Sequence, residues 1–167
     1  MKNIGALMAL LLIASVAVSA VAVEPLFAKT KPHNNAATTP FNFQSTSGTA
    51  NLTSNRKTSY PATLTLSGES RKNQQNKWLT KIDITGGTLT IDDGYYAAKV
   101  YEILAGSGIY NEKNSKVQIT CKVHEVPSGS TYDLILHGKK TPNGFLFQAP
   151  ESKLVGQYFL EISGQLQ

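Results

Sequence analysis

Apolar and polar residues alternate through much of the chain after residue 60, and this period of two constrains the fold more than any other feature. Successive side chains of a β-strand point to opposite faces, so the alternation predicts strands with one buried face. Gly, Pro, Asn and Asp interrupt it at short intervals, as turns between strands require. About seven or eight strands in residues 60–167 predict an all-β domain, either an antiparallel sandwich or a small barrel.

The most specific strand pairing opposes Lys122 to Asp133, a cross-strand charge pair worth about 0.2–1 kcal/mol. The same register sets Cys121 opposite Leu134 on the apolar face, and residues 126–129 supply the turn. A slip of one residue would send each of these side chains to the wrong face. We therefore expect a hairpin in this register, with Cys121 buried.

A second hairpin is expected at Gly86 and Gly87, a dipeptide typical of two-residue turns. Pairing across this turn sets Ile84 opposite Leu89, and the apolar faces of both strands then match. The sequence therefore predicts two separate short strands on either side of the two glycines.

Residues 95–105 fit either a helix or a strand, since their apolar residues satisfy both periods. Asp93 and Gly94 form a typical hairpin turn, and pairing across it sets Tyr96 opposite Ile91. We expect a strand, because the apolar residues meet in that register. Further strands are expected at residues 62–67, 145–149 and 157–166.

The N-terminus carries an uncharged apolar run, residues 4–23, which follows Lys2 and ends before Glu24. This arrangement is typical of an export signal, and we expect residues 1–28 to form a signal helix cleaved after Ala28. The run is also long enough to cross a membrane, so an uncleaved anchor is the alternative. Either outcome places the rest of the chain outside the cytoplasm, secreted or at the cell surface.

Residues 29–59 are rich in Ser, Thr and Asn, with eleven Ser or Thr among them. A segment with so few bulky apolar residues predicts a flexible, disordered linker. Phe41 and Phe43 alternate as in a strand and could dock on the edge of the domain. Asn51 begins an Asn-Leu-Thr sequon, which makes it a possible N-glycosylation site in an exported protein.

Three stretches stand out: the motif GGTLTI at residues 86–91 with the Tyr-containing segment after it, residues 132–139, and residues 152–160. Together they resemble exported β-rich proteins of ammonia-oxidising archaea. The resemblance covers roughly residues 78–166. It implies export, a β fold and an archaeal source, and it assigns no activity and no site residues.

The inventory of catalytic and metal-binding motifs is nearly empty. The single cysteine excludes an intrachain disulfide and a zinc site built on several cysteines. Cys121 and His124 are three positions apart on a strand, so they point to opposite faces and cannot share a metal ion. No nucleotide-phosphate loop or nucleophile elbow is present. We therefore expect a non-enzyme with no metal and no cofactor.

Basic residues gather around an aromatic residue in the predicted loops, and the formal net charge is +5. Basic side chains beside aromatic rings suit anionic partners, and exposed aromatic rings can stack on sugars. The candidate contacts to an anionic partner are Arg71, Lys72, Lys77, Lys139 and Lys140, and the candidate glycan-stacking residues are Trp78 and Tyr95.

Together these features predict an exported, non-catalytic β domain that acts at the cell surface by binding or structural assembly. A cell-envelope glycan or a surface protein is the expected partner, and no specific nucleic acid is expected. Contact with a membrane is expected only through residues 4–23, if they are not cleaved. A barrel that carries a small apolar ligand is the first alternative, and a hydrolase is the second.

Overall fold

A computed structural model of the protein describes residues 37–54, 57–94, 97–149 and 158–167. The expected signal peptide or anchor, residues 1–28, lies outside the described residues. Eight strands are present: β1 (Thr38–Leu52), β2 (Ser59–Lys72), β3 (Leu79–Ile91), β4 (Lys99–Asn111), β5 (Lys116–Val126), β6 (Thr131–Thr141), β7 (Gly144–Ala149) and β8 (Tyr158–Leu166).

The strands form a closed barrel in which each strand pairs antiparallel with the next and β8 returns to β1. The expectation of an all-β fold is therefore confirmed, and the architecture is the barrel. Alternate residues of each strand point inward, where they exclude water from a continuous apolar interior. An eight-stranded barrel is just wide enough for side chains to fill it.

Strand β1 corrects the described part of the predicted flexible linker at residues 29–59, while residues 29–36 lie outside the described residues. Thr38–Leu52 pairs with β2 on one side and with β8 on the other, so it closes the barrel. Phe41 and Phe43 are buried in the interior, as is Ala50. The Ser and Thr residues lie mostly between these inward positions and face solvent, which is why composition alone suggested disorder.

Strand β3 corrects the prediction of a hairpin at Gly86 and Gly87, because Leu79–Ile91 runs through both glycines without turning. Opposite β2 the pairing shifts at Thr85, which is an extra residue in the ladder. Such a bulge reverses which alternate residues face inward, so Ile84 and Leu89 are both buried in one continuous strand. A two-residue hairpin would bury the same positions.

Strand β4 bears out the preference for strand over helix but in a different register. It begins at Lys99, which pairs with Ile91, and Tyr101 pairs with Leu89. The predicted partner of Ile91, Tyr96, lies outside the described residues. The observed register differs from the predicted one by an odd number of residues, so the other set of alternate residues faces inward. The inward residues are Tyr101 and Ile103.

The remaining pairings agree with the sequence. Lys122 lies opposite Asp133 and Cys121 opposite Leu134, as predicted. The predicted strand at residues 145–149 is β7, and the inward residues Tyr158, Leu160 and Ile162 of β8 are buried.

Aromatic rings fill one part of the barrel interior. The rings of Phe43 and Phe147 meet edge to face at 5.0 Å between centroids, and Phe145 stacks on Phe147 at 5.8 Å. Tyr110 meets Phe145 edge to face at 5.8 Å. These ring contacts link β1, β4 and β7 across the interior. They pack the inside of the barrel at the end that carries most of the basic residues.

Candidate binding surface at the basic end of the barrel

The two ends of the barrel differ in charge. We call the end with the connections at residues 73–78, 112–115 and 142–143 the basic end. Its described residues include eight basic and three acidic ones: Arg71, Lys72, Lys77, Lys81, Lys113, Lys116, Lys139 and Lys140 against Glu69, Asp83 and Glu112. The opposite end has three basic and six acidic described residues: Lys57, Lys99 and Lys122 against Asp92, Asp93, Glu102, Glu125, Asp133 and Glu161.

Trp78 lies in the β2–β3 connection at the basic end and remains 40% exposed. The Nζ atoms of Lys77 and Lys113 lie 5.2 and 5.4 Å from the centroid of its ring. The backbone N–H of Trp78 donates to Asn76 Oδ1 at 3.1 Å, and its carbonyl accepts from Glu112 at 2.9 Å. The ring is thus held by two connections and presents its free surface between two cations.

Arg71 and Lys72 are the last two residues of β2, not loop residues as was predicted from the sequence. Arg71 forms a 3.0 Å ion pair with Asp83, and Lys72 forms one with Glu112. All four side chains are at least partly exposed, so these pairs add little stability. These ion pairs neutralise part of the positive charge that we predicted to contact an anionic partner.

The sequence placed Lys139 and Lys140 in a loop, and the structure corrects this because both lie in β6. The Nζ atom of Lys140 lies 5.9 Å from the ring centroid of Tyr110, at the mouth of the barrel. Lys139 points outward and lies directly opposite Lys116 of β5. The five predicted basic residues therefore share one end of the barrel, on β2, β6 and the β2–β3 connection.

Sequence reasoning missed three basic residues of this end, Lys81, Lys113 and Lys116. The pairing of Lys116 with Lys139 follows from the predicted hairpin register, because Lys116 lies six residues before Lys122 and Lys139 lies six residues after Asp133. The approach of Lys113 to Trp78 had no signal in the sequence, because it joins connections from two different hairpins.

The other two predicted site residues are Asn51 and Tyr95. Asn51 is partly buried near the end of β1 and pairs with Ser59 and Phe159. Tyr95 lies outside the described residues, so its predicted role in glycan stacking stays a prediction.

A polar cluster occupies the opposite end of the barrel. Lys99 Nζ donates to the Tyr158 hydroxyl at 3.1 Å and forms a 3.1 Å ion pair with Asp93. The Tyr158 hydroxyl donates to Asp93 at 3.3 Å. Burial opposes the charge on Lys99, but the hydrogen bonds to Tyr158 and Asp93 outweigh it and raise the pKa of Lys99. The cluster holds the end of β8 against the β3–β4 connection.

Cys121 is buried and points to the face of β5 opposite to His124, as predicted from the sequence. This burial raises the pKa of the Cys121 thiol to about 12. His124 and His137 lie on the outer face, away from Cys121. Among residues 37–54, 57–94, 97–149 and 158–167 no three His, Cys, Asp or Glu side chains come together as a metal site.

No family model, no curated protein and no solved structure matches the chain. Within the part of the chain that the structure describes, no helix is long and apolar enough to cross a membrane.

Proposed function

We propose that this chain is an exported, non-catalytic domain that binds an anionic glycan of the cell envelope through its basic end. The observation that carries the proposal is the exposed Trp78 ring between Lys77 and Lys113. A ring can stack on the apolar face of a sugar while the flanking ammonium groups attract its acidic substituents. The surplus of cations around it extends the attraction over the whole end.

The densely packed interior favours the outer surface as the binding region over a carrier cavity. Aromatic rings from β1 and β7 meet inside the barrel at 5.0 Å. A carrier would need room for a ligand of some 300 Å³ or more in that space.

The proposal is tested by retention on a column of an acidic polysaccharide such as polygalacturonate. Lys77→Glu with Lys113→Glu should elute at clearly lower salt than the wild type, because two cations beside Trp78 become anions. The matched control reverses Lys57 and Lys122 at the opposite end, which changes the net charge equally. Equal loss of retention in both variants would show a general charge effect and contradict a site at the basic end.

Trp78→Ala separates stacking from charge attraction. Attraction between charges is screened by salt, with a Debye length of about 8 Å at physiological ionic strength. Stacking is less sensitive to salt, so Trp78→Ala should weaken the retention that persists at high salt. Unchanged retention of Trp78→Ala at every salt concentration would remove the ring from the site.

Export is part of the proposal, and it rests on residues 1–28 of the sequence. The exported chain should begin near Lys29, which mass spectrometry of the purified native protein measures. A chain that retains Met1 in the membrane fraction would make the domain a membrane-anchored one. A chain that retains Met1 in the cytoplasm would overturn export.

A further inference from the structure

A groove of about 600 Å³ runs along the outer wall of the barrel across β4, β5, β6 and β7. It lies beside the basic end but does not include Trp78. Three kinds of side chain line it: a pair of lysines, a row of amides with an imidazole, and two apolar residues. Each kind suits a different part of an acidic sugar.

The lysine pair is Lys116 and Lys139, which lie directly opposite each other on β5 and β6. Both point outward into the groove, and neither has an acidic partner among the described residues. Like charges in directly opposed positions destabilise a sheet. An anion between the two ammonium groups would turn this repulsion into two favourable contacts, so the pair is complementary to a carboxylate or a sulfate.

The amide row lies two residues further along the same strands, about 7 Å from the lysine pair. Gln118 is opposite His137, and His137 is opposite Gln148. Gln148 donates through Nε2 to Glu161 at 3.1 Å, which orients the amide and leaves its Oε1 as an acceptor. Amides and imidazoles both donate and accept hydrogen bonds, as the hydroxyls of a sugar require.

Apolar side chains complete the groove. Ile109 of β4 is 50% exposed, and it pairs with Gln118. Leu146 of β7 is partly buried and lies opposite Lys139. A second groove of about 400 Å³ shares Ile109 and Gln118 and continues to β3. A polymer could therefore extend past a sugar bound in the first groove.

We propose that the first groove binds one acidic sugar residue of an anionic glycan. Its acidic substituent lies between Lys116 and Lys139, and its hydroxyls bind Gln118, His137 and Gln148. This inference rests on the proposed function, since it assigns the sugar-reading part of the same glycan-binding surface. The basic end supplies long-range attraction, while the groove distinguishes an acidic sugar from other polyanions.

The test is titration of the full chain with trigalacturonate, followed by NMR shifts and calorimetry. Gln118→Ala with Gln148→Ala leaves the net charge unchanged and should weaken binding by at least about fivefold, the effect of losing two hydrogen bonds. The matched control is Gln44→Ala with Gln165→Ala, two exposed glutamines that pair with each other on β1 and β8, outside the groove. The control should bind like the wild type. Lys116→Gln with Lys139→Gln should weaken binding further.

A neutral galactose trisaccharide and a sulphated trisaccharide identify the acidic group. The groove requires weak binding of the neutral sugar, and the stronger of the two acidic sugars defines the substituent. Wild-type affinity for trigalacturonate in both groove variants would overturn the groove, as would absence of trigalacturonate binding to the wild type. Column retention that still depends on Lys77 and Lys113 would then leave the proposed function standing.

Discussion

Gly87 lies so close to Thr65 on the neighbouring strand that a Cβ added to it would be 2.1 Å from the Thr65 carbonyl oxygen. The backbone of Gly87 also has φ +146°, which residues with a side chain rarely adopt. Next to it, a Cβ at Gly86 would meet its nearest described neighbour, the carbonyl oxygen of Ile103, at 3.9 Å. Two adjacent glycines thus have different roles at the bulge of β3.

Gly87→Ala should destabilise the barrel by about 3 kcal/mol or more, because the clash involves the backbone of β2 and cannot be relieved by a rotamer change. Gly86→Ala should remain within about 1 kcal/mol of the wild type. Urea denaturation followed by circular dichroism measures both. Equal stability of the two variants would contradict the continuous path of β3.

A chain that begins at residue 60 should not fold into a stable barrel. It lacks β1, so β2 and β8 lose their shared partner and the core loses Phe41, Phe43 and Ala50. A chain that begins at residue 37 keeps every described strand and should give dispersed NMR amide signals. A cooperative thermal transition in the shorter chain would show that β1 is dispensable.

Cys121 should resist thiol reagents in the native protein. Its pKa of about 12, raised by burial, leaves little thiolate at pH 8, so labelling should be at least about a thousandfold slower than that of free cysteine. Labelling should become fast in denaturant. A native rate close to that of free cysteine would contradict the placement of Cys121 beside Leu134.

The same thiol contributes a pH dependence of stability. The unfolded thiol loses its proton near pH 9, whereas the folded thiol holds its proton up to about pH 12. The unfolding free energy should therefore fall as the pH rises through this window. Burial also raises the pKa of Tyr101, so the contribution of Cys121 is the difference between the wild type and Cys121→Ala. Parallel pH profiles for the two proteins would contradict it.

Tyr158→Phe should cost about 1 kcal/mol, since it removes the hydroxyl that links Lys99 to Asp93 while the ring stays in place. Tyr110→Phe is the matched control, because no hydrogen bond of the Tyr110 hydroxyl to another described residue is found. Thermal unfolding compares them. A larger loss in Tyr110→Phe would assign the stability to the aromatic cluster instead.

The hairpin of β5 and β6 could be predicted because two independent constraints agree there. Lys122 and Asp133 fix the outer face, and Cys121 and Leu134 fix the inner one. The prediction of a hairpin at Gly86 is wrong because a continuous strand with a bulge buries the same positions as a two-residue hairpin would. The choice between them depends on β2, which pairs with the whole length of β3.

Strand β1 was not predicted from the sequence, for a different reason. A barrel strand needs apolar residues only at alternate positions, and in β1 these are Phe41, Phe43 and Ala50 with polar residues between them. Its stability comes from pairing with β2, the next strand along the chain, and with β8, which is distant in sequence. The candidate site divides in the same way: the lysine pair at Lys116 follows from a predicted register, whereas the Lys113–Trp78 contact depends on loop closure.

The unequal charge of the two barrel ends gives the protein a preferred orientation before any contact forms. Near a polyanionic layer, a torque turns the basic end inward while the acidic residues of the other end are repelled. The field reaches only about 8 Å at physiological salt, so this alignment acts in the last step of approach. The barrel would then stand on the layer with the Lys99–Tyr158 end facing outward, where it meets the surrounding medium.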